Sequence, residues 1–285
     1  ALSKNSSSEV PELMRLDKTK TEISKIEKEE KDEKISISNN DLLLNINLLG
    51  GKIDYAELLN QKSIASDIEN TVLLNKSSVS VYEAQTGLIG SPGDKNIYPN
   101  HMSLFEIDET YKNKNEIHLV SSSNGLQLKK IFKLNDKGFN VSVIHEITNL
   151  GSTPKNLGIY FQLLRDNGEP AGGSNFYSTY TGPVFYSEKD KFQKVSFSDI
   201  EESSAEHTKI SNDGWLGIIQ HYYVAAWLIN NKDPREFYSR KLSNNLFSVG
   251  AIQTFNNLNT NEKIVHSSTL YVGPQEQETL RSLSP

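Results

Sequence analysis

The residues of this chain able to do chemistry are scattered, and their spacing rarely suits a known reaction. His145-Glu146 opens like a zinc-protease motif, but the second His is missing one helical turn on, where Asn149 stands. The surrounding sequence alternates as a strand does, which sends His145 and Glu146 to opposite faces. His101, His118, His145, His207, His221 and His266 show no metal-ligand spacing. Ser152-Thr153-Pro154-Lys155 is a Ser-x-x-Lys, a spacing that sets an amine beside a hydroxyl only on a helix; Gly151 and Pro154 make it a turn. Gly87, Gly90 and Gly93 recur every third residue, yet neither a helix start nor a lysine follows, so a plain loop is expected rather than a phosphate cradle. Carboxylates such as Asp199, Glu201 and Glu202 read as a solvated acidic surface. Trp215, Tyr222, Tyr223 and Trp227 are candidates for a groove or interaction surface, against the plainer reading of core packing. No catalytic residue, metal ligand or cofactor-binding residue is assigned, and no cofactor is expected.

The elements that carry these residues are strands. Ile35-Ser36-Ile37-Ser38 alternates, Phe139–Ile147 alternates, and Leu126–Leu134 does so with one slip. Further strands are expected over Leu157–Leu164, Trp215–Ile219, Tyr222–Ile229, Leu246–Thr254 and Lys263–Val272, separated by turns such as Asn135-Asp136-Lys137-Gly138. No βαβ rhythm is present. The predicted fold class is therefore all-β, a large antiparallel β-sandwich over residues 35–273. Residues 274–285 are expected to form a short C-terminal helical segment, with Pro274 in its first turn and Leu280 and Leu283 on one apolar edge.

Residues 1–34 differ in kind. They hold eight Lys/Arg and nine Asp/Glu with few apolar residues, and are expected to be a charged, flexible tether. The whole chain has 285 residues, a formal charge of −6 and no cysteine. The negative charge excludes a phosphate-neutralising nucleic-acid binder, and the lack of cysteine excludes disulfides and thiolate catalysis. Apolar runs stop at about six residues, far short of the roughly 20 a spanning helix needs.

Several segments, taken in order, resemble one family. They are Leu42–Leu49 with Gly50-Gly51-Lys52-Ile53; Tyr82-Glu83-Ala84-Gln85-Thr86-Gly87-Leu88; Gly173-Ser174-Asn175-Phe176; and Thr181-Gly182-Pro183-Val184-Phe185-Tyr186. Most specific are Gly214-Trp215-Leu216, Gln220-His221-Tyr222-Tyr223-Val224-Ala225-Ala226-Trp227 and Ser268-Thr269-Leu270-Tyr271-Val272-Gly273-Pro274. From Ile35 to near the C-terminus the chain resembles the large periplasmic domain of YidC, the bacterial inner-membrane protein insertase. The resemblance implies a galactose-mutarotase-like β-supersandwich with a C-terminal helical segment leading toward the membrane core. It implies a non-catalytic role on the periplasmic side of the inner membrane, helping membrane proteins insert and fold, alone or with the Sec translocon. Implied partners are nascent inner-membrane proteins, Sec components and the parent protein's own transmembrane core; this region would be an excised soluble part. Kinship with mutarotases opens an alternative, a carbohydrate-binding or mutarotase-like sandwich. The nearest counterpart of the mutarotase catalytic segment is Asn156–Leu163, where Gly158 takes the place of the catalytic His, removing the proton donor that ring opening needs.

Overall fold

The structure, a computed structural model, describes residues 33–275 apart from 65, 79, 112, 169–179 and 244. Of the tether expected over residues 1–34, residues 1–32 lie outside the described residues, as do Leu280 and Leu283 of the expected helical segment, while Lys34 already belongs to the first strand. Among the described residues, alternating apolar residues build eighteen strands and one short helix. The first five strands are β1 (Lys34–Ser38), β2 (Leu42–Asn47), β3 (Lys52–Ser63), β4 (Ser66–Lys76) and β5 (Val81–Gly90). β6 (Glu106–Ile107), β7 (Glu116–Ser123), β8 (Leu126–Leu134) and β9 (Asn140–Asn149) follow as a meander. Then come β10 (Lys155–Asp166), β11 (Thr181–Ser187), β12 (Lys191–Lys194), α1 (Phe197–Glu201) and β13 (Ile210–Ser211). The chain continues with β14 (Trp215–Gln220), β15 (Tyr223–Ile229), β16 (Arg235–Ser243), β17 (Leu246–Leu258) and β18 (Lys263–Pro274).

Two nine-stranded antiparallel sheets result. Sheet I has the order β1-β2-β3-β4-β5-β10-β17-β16-β13, and sheet II the order β12-β11-β14-β15-β18-β9-β8-β7-β6. Their facing sides enclose one large core, with Leu44, Ile53, Leu88, Phe161 and Val249 from sheet I against Leu128, Phe132, Val143, Trp227 and Leu270 from sheet II. Each outer face carries a smaller apolar cluster: Ile89, Tyr160, Tyr238 and Ile252 on sheet I, and Val184, Trp215, Leu228 and Tyr271 among others on sheet II. Strands apolar on both sides, such as β10 and β15, thus read as continuous apolar runs rather than alternating ones.

Three expectations change. Gly87 and Gly90 belong to β5, and the loop begins only at Ser91. Pro274, expected in a helix, ends β18 opposite Tyr223, where the ladder with β15 closes. α1 is held by a capping box between Ser196 and Asp199, so part of the acidic surface expected at Asp199–Glu202 caps a helix.

Candidate functional site: the outer face of sheet I and the Trp215 cleft

Strand parity sets Glu83 and Gln85 of β5, Gly158, Tyr160 and Gln162 of β10, and Tyr238 of β16 on the outer face of sheet I. They form a relay. The Lys52 ammonium stands 3.3 Å from Glu83 Oε2, and Gln85 Nε2 donates to the same oxygen at 2.6 Å. Gln162 Nε2 donates to Gln85 Oε1 at 2.7 Å, and the Tyr238 hydroxyl donates to Gln162 Oε1 at 2.8 Å. Every member is buried, and the register of β5, β10 and β17 (Gln85↔Gln162↔Gly250) lines the chain of amides across the strands. Sequence reasoning missed this relay; its one signal was Gln162, a glutamine inside the apolar run Leu157–Leu164.

A loop from Ser91 to Leu104 folds over the upper part of this face. Gly87 permits the approach, since a Cβ there would stand 2.5 Å from the Tyr160 hydroxyl and 2.6 Å from Asn100 Cα. At the loop's far side His101 shares hydrogen bonds with the Tyr160 hydroxyl, from its backbone N–H at 3.1 Å and its Nδ1 at 2.5 Å. Burial, with the Lys52 and Lys130 charges, lowers His101 to about 3, while burial raises the Tyr160 phenol well above its usual value. Near neutral pH both groups are therefore uncharged.

Gly158, which the sequence sets at the expected position of the mutarotase histidine, stands in a tight setting. A Cβ there would lie 3.0 Å from Ile89 Cγ2, 3.2 Å from the Gln253 carbonyl and 3.2 Å from Ile252 Cγ2. The surrounding side chains belong to the apolar cluster of Ile89, Tyr160, Tyr238 and Ile252.

Between the sheets runs a second row of polar side chains: Lys130 on β8, His145 on β9 and His266 on β18, adjacent in register. Lys130 Nζ donates to the carbonyls of Gly50 (2.7 Å), Gly51 (3.1 Å) and Thr86 (2.8 Å), with the Phe105 ring 4.7 Å away. His145 Nε2 meets Thr86 Oγ1 at 2.8 Å, and His266 Nε2 bonds Gln253. Burial lowers His145 well below its usual range and His266 to about 4. Among the described residues, no three His, Asp or Glu gather as a metal site.

The aromatic candidates separate. Trp227 lies inside the core, its indole N–H donating to the Gln162 carbonyl at 3.0 Å. Tyr223 packs against the same core and accepts a hydrogen bond from the Thr71 hydroxyl. Tyr222 stands in the turn between β14 and β15, exposed. Trp215 borders a cleft. That cleft, about 600 Å³, is lined by Tyr186, Trp215 and Leu228, with Glu188, Asp213 and Lys232 at its rim. Tyr186 and Trp215 are paired across β11 and β14, their rings nearly parallel with centroids 6.0 Å apart.

The architecture defines a galactose-mutarotase-like β-supersandwich. A galactose mutarotase related enzyme from Lactobacillus acidophilus superposes with a TM-score of 0.57 at 9% identity, covering 86% of this chain and 99% of that one. A galactose mutarotase-like protein from Lactobacillus casei gives 0.54 at 12% identity, covering 84% and 100%. At such identities the likeness is one of fold. Residues 34–285 match the model of the YidC periplasmic domain, and the chain belongs to that family. It is 35% identical over 257 residues to the membrane protein insertase YidC of Bordetella avium, covering 89% of this chain and 45% of that protein. The membrane protein insertase YidC of Herminiimonas arsenicoxydans is also 35% identical, over 261 residues, covering 90% and 45%. The chain spans less than half the length of these relatives. Among the described residues, no helix is long and apolar enough to cross a membrane.

Proposed function

We propose that this chain is the non-catalytic periplasmic domain of a membrane protein insertase, working by contact and positioning. It stands outside the inner membrane beside the insertase's transmembrane core, assists insertion and folding of nascent inner-membrane proteins, and acts alone or with the Sec translocon. The family match over residues 34–285 carries this reading. The test places photo-crosslinking residues around the domain within the full-length protein during insertion of a model client. Crosslinks to the client or to Sec components are expected. Silent positions on every face, with insertion undiminished after removal of the domain, would overturn the reading.

The Trp215 cleft favours a second reading, a carbohydrate-binding sandwich. An aromatic pair bordered by Asn230, Asn231 and two carboxylates matches how sugars are held, and the volume suits a small ligand. Saturable heat with a sugar panel, lost in Trp215→Ala, would establish it; a silent titration would remove it.

A further inference from the structure

The β3–β4 hairpin is longer than the sheet it belongs to. Its ladder passes Leu58↔Thr71, beyond the reach of β2, and continues to Ser63↔Ser66 at a free tip. The two large apolar side chains at that tip face solvent: Ile68 is 86% exposed and Ile64 is 48% exposed. Isoleucines exposed to this degree weaken solubility, so their place at one projecting turn calls for a partner.

The backbone at this tip is prepared to leave water. The Ile68 N–H donates to Ser66 Oγ at 3.3 Å, and the Ile68 carbonyl accepts from Lys62 Nζ at 2.9 Å. Both main-chain polar groups of the most exposed residue are satisfied locally, which is what a segment entering an apolar medium requires. The hairpin is also tied to its neighbour. The Thr71 hydroxyl donates to the Tyr223 phenol at 3.2 Å, beside the turn that exposes 63% of Tyr222. The Gln275 N–H in turn donates to the Tyr222 carbonyl, so the chain passes beyond β18 at this same end of the sandwich.

We infer that this end of the sandwich rests on lipid, with Ile64 and Ile68 entering the headgroup boundary of a zwitterionic bilayer and Tyr222 beside them at its surface. Tyrosine suits that boundary, having an apolar ring and a polar tip. Asp67 and Glu69 flank Ile68, and the chain's net charge is −6; both favour zwitterionic over anionic lipid. The inference rests on the membrane-insertase reading above.

The chain has no cysteine, so single labels are unambiguous. Ile68→Cys, Tyr222→Cys and Ile97→Cys would each carry an environment-sensitive fluorophore. Ile97 is 64% exposed and lies against the Ser123–Asn124 turn, at the opposite end of sheet II. Each labelled chain is anchored by an N-terminal hexahistidine to phosphatidylcholine–phosphatidylethanolamine vesicles holding nickel-chelating lipid. The expected result is a blue shift at residues 68 and 222, with quenching by acyl-brominated lipid at least about threefold stronger than at residue 97. Equal responses at both ends, or none at residue 68, would overturn the inference. So would a response that needs the insertase's membrane core in the vesicles, since protein would then be the partner. No insertion is measured, so the result stands apart from the proposed insertase role.

Discussion

The Lys130 ammonium lies 2.7 Å from the carbonyl oxygen of Gly50, a residue 80 positions earlier in the chain. Gly51 and Thr86 supply two more carbonyls, so three acceptors meet the three N–H bonds of one ammonium. Gly50 makes the turn possible: its φ is +93°, and a Cβ would fall 2.3 Å from the His101 carbonyl oxygen. Lys130→Met keeps the side chain's bulk but leaves the buried carbonyls without the amine. It should lower stability by about 2–4 kcal/mol in urea denaturation, against less than about 1 kcal/mol for Lys129→Met on the opposite face.

The relay on sheet I should behave as one unit. Gln162→Leu removes the acceptor of the Tyr238 hydroxyl and the donor to Gln85 in a buried setting. A loss of about 2 kcal/mol is expected. A double-mutant cycle with Tyr238→Phe should show coupling of at least about 0.5 kcal/mol, because the two changes break the same bond.

A histidine placed at Gly158 should not bring mutarotase chemistry. In Gly158→His the new Cβ would crowd Ile89, Ile252 and the Gln253 carbonyl, and overpacking of this kind costs about 1–3 kcal/mol. Thermal melting should register the loss, and polarimetry with galactose should show no rate above buffer for either form.

Buried histidines make the fold sensitive to acid. Burial lowers His101 to about 3, and His207 and His266 to about 4, with His145 well below its usual value. In the unfolded chain each returns to about 6.5. Between these values the unfolded state binds more protons, so stability rises with pH. It should be full above about pH 6.5 and fall progressively as pH drops toward 4. Urea midpoints that stay constant from pH 7 to pH 4.5 would contradict this.

Two aromatics that stand five residues apart should differ sharply. Trp227→Ala empties a core position and should cost about 3–5 kcal/mol, whereas Tyr222→Ala, at an exposed turn, should stay within about 0.5 kcal/mol. Chemical denaturation of the two variants checks this directly.

The strand elements and the all-β class were legible in the sequence, because a strand's two-residue period is a property of its own backbone. Phe139–Ile147 shows it plainly, with Val141, Val143, His145 and Ile147 inward along β9. The ordered segments from Leu42 to Pro274 likewise carried the family. Pairing decided the rest. The apparent slip in Leu126–Leu134 is no slip: alternation runs unbroken, with Lys130 inward, because carbonyls from distant turns offset the desolvation of its charge. Trp215 and Trp227 belong to one motif, yet the register Trp215↔Leu228 and Leu216↔Trp227 sets them on opposite faces of sheet II. A periodic pattern states which residues share a face; only the stacking of two sheets determines which face is covered, and by what.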